Sequence, residues 1–471
     1  MRVVLVILLL LIAAVGITPY WFGIQTEKTH GRIVKEVSES GNLDVTLKSY
    51  KRSWLNSSAE TVFEIRSGNQ KIASLIIKDD ISHGPLPLKE LFRDNFRLKP
   101  VQAIIYSTVK ITTENQNELV DLLAKFPPAE TKTTIYMSGD GESQLSVPSF
   151  SHRLKEKNGS ISCEGLKSRT TFSPNFRELT TSVESLGLIA KSDEFLLFIK
   201  NIEMNADLYT DARNLYSPLG NVMLKVGLID IEKKQAKKRF SVENIELTGL
   251  TEVSNSNLNS THSLGFASLR ADGAKYGPGL YEIAIRKIDA PAWGRLQRTL
   301  KDVKKVDAPD EKQSLIVFGK IIEILPDLLK KSPEIELTKL SLKTPEGEVL
   351  GRAKVIIDGS SPELIKNPFF LLSSLNAEAY ISIPAPFFES MLRNLARKNL
   401  IAEIEERGYD IPSDREINEL TSSAAAQELQ SLVEQGIFVR EEDDLKLRAT
   451  YKQGELKLNG QPIQLPFIEP Y

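Results

Sequence analysis

The stretch 81–88 (ISHGPLPL) carries His83, one of only four histidines in the chain, with Asp79 and Asp80 just upstream. An imidazole beside a carboxylate is the raw material of a general base, the acid orienting the ring while the ring takes a proton. Nucleophilic chemistry also needs a hydroxyl or thiol on a sharply turned backbone, and the chain has no Gly-x-Ser-x-Gly. The competing reading is structural. Gly84-Pro85, with Pro87 two residues on, ends a strand and fixes an extended exit, and His83 donates to a nearby carbonyl to hold the turn. The turn is the expectation carried forward, with a His83-dependent hydrolase as its rival.

Other chemistries find less support. His30, His83, His152 and His262 lie far apart, and none belongs to a His-x-x-x-His or Cys-x-x-Cys pattern, so no metal site is expected. GDGES (139–143) and YGPGLY (276–281) lack the spacing of a phosphate-cradling loop and read as turns. REEDDLK (440–446) lacks the alternating ligands and the glycine of a calcium loop and reads as a solvated hairpin entry. The single cysteine, Cys163, excludes an intrachain disulfide framework and reads as a small buried apolar residue. No catalytic, cofactor-binding or metal-binding residue is assigned, and a non-enzymatic role is expected.

The elements that must position these residues begin with the N-terminus. Residues 3–24 (VVLVILLLLIAAVGITPYWFGI) carry no charge and, as a helix, reach about 33 Å, enough to cross a hydrocarbon core. A cleaved signal peptide would need a shorter apolar run and a small-x-small site. The aromatic triplet 20–22 instead fits the headgroup level of a retained transmembrane anchor. Arg2 before the run and Lys28, Arg32 and Lys35 after it, offset by Glu27 and Glu36, leave its orientation open.

At 471 residues the chain exceeds one hydrophobic core, and its 41% hydrophobic and 26% charged composition is that of a globular protein. With 60 basic against 62 acidic residues it has no excess positive charge to neutralise phosphates, so nucleic acid is not expected as a partner. From about 42 to 290, short β-rich runs dominate. In LYEIAIRKI (280–288), Tyr281, Ile283 and Ile285 alternate with Glu282 and Arg286, the mark of an antiparallel strand with one apolar face. FIKNIEMNADL (198–208) and FSVENIELTGL (240–250) echo one another around Asn-Ile-Glu, with EIELTKLSL (334–342) a looser copy.

Three amphipathic helices follow. One, over 314–330, carries Leu315, Phe318, Ile322, Leu325 and Leu329 as its stripe, with Pro326 expected to bend it. The second follows Pro386 with Phe388, Met391, Leu392 and Leu395. The third opens on a capping box at Ser413 and Glu416, carries Ile417, Leu420 and Ala424, and stops at Gly436. A hairpin turning at Gln453-Gly454 closes the chain. An apolar sheet face left open by these helices would form a trough for lipid tails or another amphiphile; a covered one would be core.

YKRSWLNSS (50–58), SHGPLPLKEL (82–91), KIDAPAW (287–293), ILPDLLKKSPEIELTKLSLKTPEGE (324–348) and GELKLNG (454–460) together resemble the YdgA-like family of bacterial proteins, a domain of unknown function. The resemblance implies an inner-membrane anchor with a periplasmic body, and it implies no catalytic residue. It marks Tyr50, Trp54, Ser58, His83, Gly84, Pro85, Pro87, Pro333 and Gly347 as family-motif positions with a structural role. Where the family pattern has Arg-Gly, this chain has Arg52-Ser53.

The expected architecture is α+β: a mostly antiparallel, extended sheet with packed amphipathic helices and one N-terminal transmembrane helix. Its divisions are an anchor at 1–24, a β-rich region at 25–290, a helical segment at 291–331, a β segment at 332–383, two helices at 384–436 and a hairpin at 437–471. The expected partners are the membrane and an envelope protein or lipid.

Overall fold

The structure, a computed structural model, describes residues 2–39, 44–67, 70–87, 100–113, 127–153, 159–210, 218–234, 238–271, 273–304, 310–360, 371–407 and 412–463. Residues 88–91 of the proline-rich block and the side chains of residues 2–15 lie outside the described residues. The chain divides into two compact units, one formed by 1–238 with 297–317, the other by 239–296 with 318–471. The architecture is mostly antiparallel sheet with five α-helices among the described residues.

The first unit opens with helix α1 (Arg2–Glu39), which passes through Pro19 without a break. Twelve strands follow among the described residues: β1 (Asp44–Arg52), β2 (Asn56–Ser67), β3 (Gln70–His83), β4 (Val101–Thr113), β5 (Ala129–Tyr136), β6 (Gly141–Val147), β7 (Phe150–Arg153), β8 (Ser160–Cys163), β9 (Leu166–Phe172), β10 (Glu178–Lys191), β11 (Phe195–Tyr209) and β12 (Leu219–Lys233). β1 to β6 pair in sequence order, β9 joins β6 to β10, and β11 and β12 complete the ladder, every pairing antiparallel. Side chains alternate between faces, so Ala59, Ile81 and Ala103 share the face that α1 covers and form a small buried core with Leu47, Tyr50 and Ile105. Two alanines in that core let the helix backbone come close to the strands.

Among the described residues no helix is long and apolar enough to cross a membrane. The aromatic triplet does not behave as a unit: Phe22 is buried against protein while Tyr20 and Trp21 stay exposed. Pro19, Phe22, Gly23 and Thr26 recur every three or four residues and are all buried, so the docked stripe of α1 begins inside the apolar run.

The second unit holds β13 (Lys238–Ser254), β14 (Asn257–Phe266), β15 (Ser268–Ala271), β16 (Ala274–Tyr276), β17 (Gly279–Asp289), β18 (Glu334–Thr344), β19 (Gly347–Ile357), β20 (Leu375–Pro384), β21 (Val439–Glu441), β22 (Asp444–Lys452), β23 (Glu455–Leu458) and β24 (Gln461–Ile463). Its helices are α4 (Ala385–Arg407) and α5 (Asp414–Glu434); α2 (Ala290–Lys304) and α3 (Asp310–Leu329) follow β17. The register aligns Leu247, Leu264, Tyr281, Leu340, Gly351, Ile381 and Leu447 in one transverse row. The Tyr281, Ile283, Ile285 alternation belongs to this apolar face. Phe388, Leu429, Leu432 and Val433 of α4 and α5 pack on its Ile381–Leu447 end, while Leu264, Tyr281 and Ile335 remain partly exposed. The face is thus covered at one end.

The helices form where expected, but their buried stripes are shifted. Leu315 and Phe318 are exposed, and α3 buries Ile324, Leu328 and Leu329, continuing through Pro326 to its end. In α4, Met391 and Leu395 face out; in α5, Ile417, Thr421 and Ala425 are buried while Leu420 is not. A helix stripe is decided by which neighbour it meets, and spacing alone leaves that phase free. The capping box is as read: the Ser413 side chain accepts from the Glu416 amide while Glu416 accepts from the Ser413 amide. Gly436 follows the helix in a left-handed conformation.

The Asn-Ile-Glu echo has a structural counterpart. Asn201 in β11 and Asn244 in β13 both adopt left-handed φ (54° and 52°). Asparagine tolerates that region better than other residues with a Cβ, and each falls at a gap in the pairing of a long strand whose register is unchanged across it.

Candidate functional site beneath the first helix

β3 ends at His83 and β1 turns into β2 at 53–56, so strand pairing brings the two ends together under α1. The His83 ring is almost wholly buried (1% exposed). Its Nδ1 lies 3.3 Å from the Trp54 carbonyl oxygen and its Nε2 lies 2.8 Å from Ser57 Oγ. Burial pushes its pKa down, so the ring is neutral near pH 7. A carbonyl only accepts, so Nδ1 carries the proton and donates to Trp54, and Nε2 accepts the hydroxyl proton of Ser57.

A serine hydroxyl donating to a neutral imidazole is the geometry that begins nucleophile activation. Three features of its surroundings bear on that geometry here. Ser57 is 4% exposed, which leaves its oxygen no approach for a substrate. Asp79 does not orient His83: its carboxylate takes His30 Nε2 of α1 at 3.1 Å. Asp80 belongs to the opposite face of the strand, because side chains alternate. Finally, Gly23 of α1 lies against the imidazole, where a Cβ would stand 2.4 Å from His83 Cε1. His83 therefore joins strand, turn and helix.

The other family-motif residues of this unit gather around the same joint. Tyr50 packs edge-on against His30, with ring centroids 5.6 Å apart, and burial raises the pKa of its phenol. Trp54 donates its indole N–H to the Gly16 carbonyl oxygen (2.6 Å) and stacks with Tyr20. Arg52 pairs with Glu27 and lies over the Tyr20 ring. Ser53 replaces the pattern glycine without a left-handed φ, its amide closing the turn onto the Asn56 carbonyl (2.8 Å). At Gly84 the backbone itself fills the space: a Cβ would sit 1.6 Å from the Val101 carbonyl oxygen. Val101 returns its amide to the Pro85 carbonyl, and Pro87 is buried. Ser58 is exposed on the other face; the serine that meets His83 is Ser57, one residue earlier.

Pro333 and Gly347 belong to the second unit. Pro333 is buried and its carbonyl accepts from the Ile357 amide (3.1 Å). Gly347, in a left-handed φ, abuts the Pro384 ring, with Pro384 Cγ 2.8 Å from where a Cβ would sit. Near Pro333 lies a second polar joint, whose partners are distant in the sequence. Asp289, 2% exposed, caps α2 by accepting from the Ala292 amide (2.9 Å). Lys330 and Lys331 approach its carboxylate at 3.2 and 3.4 Å. Burial pushes its pKa up, but the amide and the two ammonium groups outweigh this and hold it below the usual carboxylate value. Lys331 also donates to the Ser256 carbonyl (2.7 Å), tying the β13–β14 turn to the end of α3. The Asp-Ala-Pro-Ala sequence carries the signal, an N-cap acid with proline in the first turn.

Among the described residues no group of three or more metal-ligating side chains converges. Residues 1–466 match a family described as bacterial protein of unknown function (DUF945). The chain is also 22% identical to Protein YdgA of Escherichia coli (strain K12) over 464 residues, covering 92% of this chain and 87% of that protein.

Proposed function

The chain belongs to the DUF945 family of bacterial proteins of unknown function, and from that premise we propose a non-enzymatic envelope module, anchored in the inner membrane by its opening apolar run, with its body in the periplasm. The observation that carries this reading is a collar of exposed apolar side chains where α1 meets the sheet. Ile17, Tyr20 and Trp21 on the helix and Trp54 and Leu55 on the β1–β2 turn are all exposed. The indole hydrogen bond to Gly16 ties the two sets together. Tryptophan and tyrosine beside aliphatics are the composition of a membrane–water interface.

In this reading α1 has two parts. Residues 3–18 enter the bilayer for about 24 Å, short for a hydrocarbon core, and the collar sinks the body into the headgroup layer to make up the difference. From Pro19 onward the same helix is docked on β1–β4 through His83, Asp79 and Arg52, so the body is held rigidly at the end of its anchor. An envelope protein is the partner class such a tethered body would present itself to.

A reporter fused after Tyr471 tests the topology: activity only outside the cytoplasm is expected, and cytoplasmic activity would refute the periplasmic placement of the body. His83→Gln tests the absence of catalysis. Loss of a cellular phenotype at unchanged melting temperature would favour the hydrolase; a lowered melting temperature is the expected result.

A further inference from the structure

Between α1 and the sheet of the first unit, from β4 onward, lies an open cleft of about 610 Å³, a size common for small-molecule sites. Trp21 and Phe22 form its helix wall, and Ile135, Met137, Phe172 and Phe176 form its sheet wall. Met137 is half exposed although it is a large apolar side chain. Lys28 and Arg32, four residues apart and so on one flank of α1, also line it, and no acid does so among the described residues. Neither cation has a partner among the described residues.

The Phe176 wall is held by strained backbone. Asn175 and Phe176 both adopt left-handed φ (60° and 54°), a conformation that is costly for a bulky residue. The Ser173 carbonyl accepts from the Phe176 amide (3.0 Å), and the ring stacks on Phe172 at 4.8 Å. The strained turn keeps this aromatic at the cleft.

We propose that the cleft binds an anionic phospholipid, its acyl tail along the aromatic walls and its phosphate on Lys28 and Arg32. A neutral amphiphile would leave the two cations unused, and a small soluble anion would leave the apolar walls unused. The lining from Trp21 to Arg32 runs about 16 Å along the helix axis, and it starts at the collar, where a lipid would enter. The site extends the membrane reading without depending on it.

The test uses the full chain in detergent, incubated with dioctanoyl phosphatidylglycerol, dioctanoyl phosphatidylcholine or glycerol phosphate and read by native mass spectrometry. Phosphatidylglycerol should be retained about tenfold better than phosphatidylcholine, because the choline cation offsets the same phosphate and is repelled by Lys28 and Arg32. Glycerol phosphate should be lost. Lys28→Gln with Arg32→Gln, both exposed positions, should bring the two lipids level at an unchanged melting temperature, and Met137→Glu should weaken both. Equal retention of the two lipids by the unaltered chain, glycerol phosphate binding as well as the lipid, or a double variant that keeps the preference would each overturn the assignment. The reporter fusion reads topology alone, so either reading can fail without the other.

Discussion

Beneath α1, His83 and Ser57 sit buried and neutral, whereas at the head of α2 the buried carboxylate of Asp289 faces two lysines. Both joints fasten a helix to the end of a strand, but they fail in different ways. The neutral joint depends on close approach: Gly23 touches the imidazole, and Gly84 lets the strand ends meet. The charged joint depends on the carboxylate; its lysines reach it on long flexible side chains and tolerate small shifts. The first should therefore be sensitive to added volume and the second to lost charge.

The largest effect is expected from Gly84→Ala. Its Cβ would meet a backbone carbonyl at 1.6 Å, so the ends of β3 and β4 must separate, at a cost of about 3–5 kcal/mol in urea unfolding. An alanine tolerated there would mean that the strand ends are not closed as described. Asp289→Ala removes a cap and two ion-pair contacts in the second unit, and a loss of about 2 kcal/mol is expected. The smallest effect separates the joints by pH. The depressed pKa of His83 means that the folded form prefers the neutral ring, so its contribution is full above the unfolded value of 6.5. It is lost as pH falls through the lower folded value. Asp289, also depressed, keeps its contribution until the pH drops below its unfolded value of 3.8. Hydrogen exchange between pH 7 and pH 5 should therefore loosen the docked half of α1 while α2 stays protected. Equal loosening of both, or of neither, would erase the distinction.

Much of this was legible in the chain because the signals were local. The capping box at Ser413 and Glu416 and the two-residue turn at Gln453-Gly454 need only neighbours a few positions away, and both stand as read. His83 was legible as the end of a strand, since Gly84-Pro85 forbids continuation. What joins it was not. His30 meets Asp79 across 49 positions, and Ser57 differs from the exposed Ser58 only in strand parity, which a one-residue slip reverses. The phase of the helix stripes was hidden for the same reason: α3, α4 and α5 each carry more apolar positions than one face can bury, and only the packed neighbour selects among them.

The docking of α1 on His83 is tested most directly by a double-mutant cycle in the full chain, with unfolding followed by denaturant. Gly23→Ala alone should be destabilising, because its methyl enters the space of the imidazole, and it should cost little in a His83→Ala background, where that ring is gone. A coupling of about 1 kcal/mol or more between the two positions is the predicted result. Strict additivity would show that helix and histidine do not touch and would contradict the account.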